Sequence, residues 1–174
     1  MDYLFARPDS CQRAAWDWRT LVCELLAVVL SMGIWMAPAS ANTEKRIALV
    51  IGNAQYPASK LKNPANDAVA MTAALRKLGF TVIHREDATQ RVMLSAMREF
   101  VDKAPGYDVR LFFYAGHGAQ IVGKNYLMPL DAALDDERDL QRTAVNLNEF
   151  IELLGQGKHG VNIVVLDACR DNPF

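Results

Sequence analysis

His117 stands between two glycines, Gly116 and Gly118, directly after the apolar run Val109–Ala115. Cys169 follows a second apolar run, Val161–Ala168. A thiol is a strong nucleophile once deprotonated, and a nearby imidazole can take that proton and later return it to a leaving amine. Such a pair performs acyl transfer through a thioester. The flanking glycines let the backbone turn sharply and leave room above the strand end. The backbone amides of Gly118 and Cys169 are candidate oxyanion donors, each worth about 3–4 kcal/mol where one has been removed. Each residue also has a plain reading: His117 as a turn residue, Cys169 as a small buried hydrophobe. A dinucleotide loop is excluded, because the third glycine position holds Ile121 and no helix opens there.

The elements around the two residues must bring them together. Arg46–Gly52 reads as a strand buried on both faces. Apolar spacing at Val69, Met71, Ala74, Leu75 and Leu78 predicts a helix over 64–78, capped by Asn66 or Asp67 and stopped at Gly79. Residues 80–84 read as a strand and 89–104 as a helix, which Pro105-Gly106 ends. Val109–Ala115 is the next strand and 126–129 a short one; the acidic stretch 134–140 reads as a loop. Asn146 and Glu149 resemble a capping box that opens a helix through Leu154. Val161–Ala168 is the last strand. Alternating strands and helices with apolar strands imply an α/β fold, a parallel sheet covered on both faces. Ligands bind such sheets beyond the carboxyl ends of the strands, where His117 and Cys169 both fall. Neighbouring strands lie about 4.8 Å apart, so the two residues come within reach if their strands pair.

Composition narrows the function. With 51% hydrophobic residues, the 174-residue chain is globular rather than disordered. A net charge of −1 without a basic stripe argues against nucleic acid as a partner. No Cys/His cluster has zinc spacing, so no structural metal is expected. Residues 21–36 form an apolar run broken only by Glu24 and Ser31, followed by Ala39-x-Ala41. This is the layout of a signal peptide over residues 1–41, with residues 42–174 as the exported domain, periplasmic or extracellular. The run is short for a span, which needs about 20 residues. The segment before it is long and offsets Arg7, Arg13 and Arg19 with Asp2, Asp9 and Asp17, so an uncleaved membrane anchor is the alternative. Cleavage leaves Cys169 as the one cysteine, which excludes a disulfide scaffold.

YAGHG (Tyr114–Gly118) and DACRDNPF (Asp167–Phe174) resemble the bacterial caspase-like and metacaspase-like cysteine peptidases. RIALVIGNAQY (Arg46–Tyr56), LKNPANDA (Leu61–Ala68) and GKNYLMPLDA (Gly123–Ala132) fit the same family in the same order. The resemblance spans roughly residues 45–174 and implies a three-layer caspase-like fold. It implies His117 as general base and acid, Cys169 as nucleophile, and the Gly118 and Cys169 amides as oxyanion donors. In the metacaspase-like branch, the acids matching Asp167 and Asp67 bind a basic side chain before the scissile bond, by charge-assisted hydrogen bonds. Their plain readings are a loop-fixing hydrogen bond for Asp167 and a helix cap for Asp67. Arg170 is given no catalytic role.

Some features depart from the family. Ala115 stands where a serine often lines the pocket, and Pro64-Ala65 replaces a cysteine sometimes found there. Some relatives need calcium; Asp131, Asp135, Asp136 and Asp139 are acidic, but their spacing defines no site, so no cofactor is expected. Further strands follow the cysteine strand in the family, whereas this sequence stops at Phe174. The expectation is therefore the large-subunit portion, with its last strand an exposed edge and a C-terminal region or partner chain supplying the rest. The expected activity is a cysteine endopeptidase cleaving peptides or proteins after Arg or Lys. The alternatives are a catalytically incomplete interaction module that binds a partner at the open sheet edge, and a related cysteine hydrolase or transferase acting on a non-protein amide.

Overall fold

Ile47 to Gly52 are all buried, and with Arg46 they make up β1 (Arg46–Gly52). Such a run satisfies its backbone only between two other strands, and its side chains only under helices. The computed structural model meets both demands; it describes residues 44–133, 136–157 and 159–168. β1 pairs in parallel with β2 (Phe80–Glu86) and with β3 (Val109–Ala115). β7 (Val161–Asp167) then pairs in parallel with β3, giving the order β2-β1-β3-β7. The register is continuous across the sheet, so Glu86, Gly52, Ala115 and Asp167 end in one row. The mixed α/β architecture with a parallel sheet is the caspase-like one.

Helix α1 (Pro64–Lys77) covers one face, where Ala68 and Leu75 pack with Ala48, Val50, Phe113 and Ala115. The other face lies under α2 (Gln90–Lys103) and α4 (Leu147–Gly155), which follows the short α3 (Glu137–Thr143). There Met93, Met97, Phe100, Phe150 and Leu154 close over Ile47, Leu49, Ile51, Phe112 and Tyr114. Burying each of the larger side chains contributes about 1.5–3 kcal/mol. A second, antiparallel sheet is built from β4 (Gly118–Ile121), β5 (Lys124–Leu127) and β6 (Val145–Asn146). β7 is an edge strand among the described residues. Its Val161, Ile163 and Val165 are 58%, 38% and 38% exposed.

The expected strands Arg46–Gly52 and Val109–Ala115 have the expected bounds, and the long helices end within about a residue of theirs. The Asn146 capping box forms: Asn148 N–H donates to Asn146 Oδ1 (3.1 Å) and Asn146 Nδ2 to Glu149 Oε1 (2.8 Å). Three readings are corrected. Residues 137–143 are helical, because Asp136 caps them by accepting from Asp139 N–H at 2.7 Å. The cap residue of α1 is Asn63, without a side-chain bond, and Asp67 lies in the first turn. The short strand starts at Lys124 and has an unforeseen partner, β4, across the turn Val122-Gly123. Both turn residues have positive φ (48° and 75°), as a two-residue hairpin requires. Valine is a poor residue there, so the sequence carries little signal for this turn. The candidate leader and Cys169 lie outside the described residues. No helix among the described residues is long and apolar enough to cross a membrane.

The face of α1 is set by one close approach. A Cβ at Gly52 would lie 2.5 Å from the Pro64 carbonyl oxygen and 2.6 Å from Ala68 Cβ. Glycine in the strand and alanine in the helix let backbone approach backbone, leaving Val69 half exposed. Gly52→Ala is therefore expected to cost about 1–3 kcal/mol by overpacking. Urea unfolding would read this as a lower midpoint, and an unchanged midpoint would contradict the packing.

Candidate active site

His117 occupies the turn between β3 and β4, and both its backbone polar groups are held. Its N–H donates to Tyr56 Oη at 3.0 Å. Its carbonyl accepts from Tyr114 Oη at 2.7 Å and from Met128 N–H at 3.0 Å. The half-buried imidazole packs 4.5 Å from the Tyr56 ring, tilted by 55°. Its Nε2 lies 2.9 Å from the Ser59 carbonyl oxygen. A carbonyl only accepts, so Nε2 carries the proton. The neutral ring then keeps its lone pair on Nδ1, the form a general base needs.

Two phenols carry this arrangement. Tyr56 and Tyr114 come from different elements, and their oxygens meet at 3.2 Å. Each also reaches the Met128 carbonyl, at 2.9 and 3.0 Å, and Asn53 Nδ2 donates to the same oxygen at 3.1 Å. Burial pushes both phenols above the ordinary tyrosine range, Tyr114 furthest. Both therefore stay protonated at neutral pH and remain donors. Gly116 is what admits them: a Cβ there would lie 2.7 Å from each phenol oxygen.

The site's other residues fall at the same end of the sheet. β3 and β7 are hydrogen-bonded neighbours up to their last pair, Ala115 and Asp167, and Gly116 N–H donates to the Asp167 carbonyl at 3.2 Å. The strand that ends in the His117 turn thus runs beside the strand that leads to Cys169. Gly118 opens β4 and lines a small hollow with Tyr126, Leu127, Leu166 and Ala168, the residue before Cys169. Asp167 is exposed and half-buried Asp67 lies in the first turn of α1. By strand alternation Asp167 shares the face of Phe113 and Ala115, which α1 covers. The two acids thus stand on one face at the carboxyl end. Among the described residues neither has an ion-pair partner.

The aspartates considered for calcium have other partners. Asp131 Oδ1 accepts from Gln90 N–H at the start of α2, Asp136 caps α3, and Asp139 pairs with Arg142 at 2.7 Å. Asp135 lies outside the described residues. Among the described residues no three His, Cys, Asp or Glu side chains are grouped to hold a metal.

Asn53, Tyr56, Ser59 and Tyr114 were not singled out by residue type. Tyr56 and Tyr114 did lie inside the motifs RIALVIGNAQY and YAGHG, but nothing in their spacing shows that two phenols from separate elements converge.

Comparisons with known proteins show the family. A model of the caspase domain, a peptidase family, matches residues 45–174. The chain is 32% identical over 126 residues to "Mucosa-associated lymphoid tissue lymphoma translocation protein 1" of Homo sapiens and to the homologue of that name from Mus musculus. The match covers 72% of this chain and 15% of each relative, so the chain spans a small part of their length. With the caspase model matching nearly all of the described residues, the chain belongs to the caspase family.

Proposed function

We propose that the chain is a cysteine endopeptidase that hydrolyses peptide bonds after Arg or Lys, with Cys169 as nucleophile and His117 as general base and acid. Nδ1 of His117 takes the thiol proton, and the sulfur attacks the peptide carbonyl carbon. Negative charge builds on the carbonyl oxygen, with the Gly118 and Cys169 amides as its donors. Collapse breaks the C–N bond as His117 returns the proton to the leaving amine. Water, deprotonated by His117, then hydrolyses the thioester, and the proton goes back to the thiolate. The observation that supports this reading is the His117 imidazole held with Nε2 on Ser59, in the turn that ends the strand beside the one leading to Cys169.

The acids Asp67 and Asp167 support a basic residue before the scissile bond, since a buried guanidinium or ammonium needs carboxylate partners. The test is cleavage by the chain of peptides carrying Arg, Lys or Asp at that position. Turnover after Arg or Lys is expected, and preference for Asp would refute the specificity. Asp167→Asn is expected to lower kcat/KM for Arg substrates about 10- to 100-fold, the worth of a hydrogen bond to a charged group. A second reading, an interaction module, is favoured by the exposed valines and isoleucine of β7. It would predict no turnover on any peptide and binding of a partner along that edge.

A further inference from the structure

The loop between β1 and α1 meets His117 at three points. Tyr56 Oη accepts from the His117 backbone N–H, the Tyr56 ring lies against the imidazole, and the Ser59 carbonyl takes the Nε2 proton. This loop is itself pinned at its start. Asn53 donates from Nδ2 to the Ala88 carbonyl at 3.3 Å and accepts from Ala88 N–H at 2.9 Å, fully buried. Asp87 Oδ1 accepts from Ala54 N–H at 2.8 Å and Gln55 N–H at 2.9 Å. Asp87 does so with φ of 48°, a conformation that costs a non-glycine residue energy and persists only where surroundings enforce it. The anchoring thus runs from β2 through the loop to the imidazole.

We propose that Tyr56 is a positioning residue for His117: its hydroxyl holds the His117 peptide and its ring holds the imidazole plane, so that Nε2 stays on Ser59 and Nδ1 stays the base. The proposal rests on the reading of His117 as general base. Hydrogen-bond accounting supports it. Met128 O has two lone pairs and takes Asn53 and Tyr56; His117 O takes Met128 and Tyr114; Tyr56 Oη takes His117 N–H. Each of the two carbonyls is then filled twice. Removing the Tyr56 hydroxyl strands the His117 N–H, and removing the ring frees the imidazole to rotate away from Ser59. Tyr114 holds only the backbone, so the ring orientation is assigned to Tyr56.

The chain has three histidines, His84, His117 and His159. Imidazole nitrogen shifts of the full chain, assigned by single His→Gln variants, therefore read His117 directly. In the parent chain His117 is expected to show the Nε2–H tautomer. Tyr56→Leu is expected to move it toward a mixture of tautomers while His84 and His159 stay unchanged. In parallel, kcat falls about 10- to 100-fold with KM unchanged, as a misplaced catalytic group gives. Tyr56→Phe keeps the ring and is expected to recover the tautomer and most of kcat.

An unshifted His117 signal in folded Tyr56→Leu would overturn the proposal. So would a shift of all three histidines together, which marks a general loosening of the fold. If Tyr56→Leu does not fold, a change of the His117 signal in Tyr56→Phe as large as that expected of Tyr56→Leu refutes the ring's role. Retention of the Nε2–H tautomer in that variant supports it. If the parent chain cleaves no peptide, the peptidase reading fails, and the His117 tautomer still decides whether Tyr56 positions it.

Discussion

Cys169→Ala is expected to abolish peptide turnover, and His117→Ala is expected to do the same with the melting temperature within a few degrees of the parent. The expected loss is on the order of 10⁴-fold or more, since in the proposed mechanism nucleophile and base act in one proton transfer and neither works alone. For the same reason the double variant is no slower than either single one. That non-additivity separates a working pair from two residues that each merely help the fold. The structural cost is small on the His117 side, because among the described residues its half-buried ring has one hydrogen bond, to Ser59 O, worth about 0.5–1.5 kcal/mol. Parent and variant activities are compared on one Arg-containing peptide. Turnover within tenfold of the parent in either single variant would end the peptidase mechanism.

Phe112→Ala costs about 3–5 kcal/mol, a large part of the roughly 5–15 kcal/mol that holds a domain together. Phe112 is wholly buried on β3, flanked by β1 and β7, and its ring meets Phe150 edge-on at 4.9 Å and 68°. Phe150 in turn packs on Phe100 at 6.2 Å, so one ring ties the sheet to both α2 and α4. Nothing small in that stack can move in to fill the space. Urea unfolding should show a midpoint lowered by more than about 1 M. A cost below about 1 kcal/mol would mean that the two helices do not close on the sheet as described.

The sheet was legible because buried parallel strands leave an unmistakable mark: RIALVIG and VRLFFYA are nearly unbroken apolar runs. The His117 turn was legible for the same reason, since it begins where such a run stops. The helix faces were less so. Periodicity offered Val69 and Leu78, yet they are 50% and 59% exposed. The contact that orients α1 is between Gly52 and Ala68, and periodicity gives small residues no weight. The β4–β5 hairpin escaped because Val122 adopts a backbone conformation its type disfavours. The support of His117 escaped for a different reason. Tyr56, Ser59, Tyr114 and Met128 lie up to 72 residues apart in sequence, and a hydrogen bond made across tertiary structure leaves no period.

β3 is hydrogen-bonded on both sides, whereas β7 is bonded on one among the described residues. Amides of β1 and β3 are expected to open with the domain as a whole, while an edge strand, β7 or β2, can peel away at lower free energy. The strand before Cys169 is thus held less firmly than the strand from which the His117 turn hangs. Warming or mild denaturant should separate them first. In that interval the helices would still report a folded protein, and β7 would no longer run beside β3.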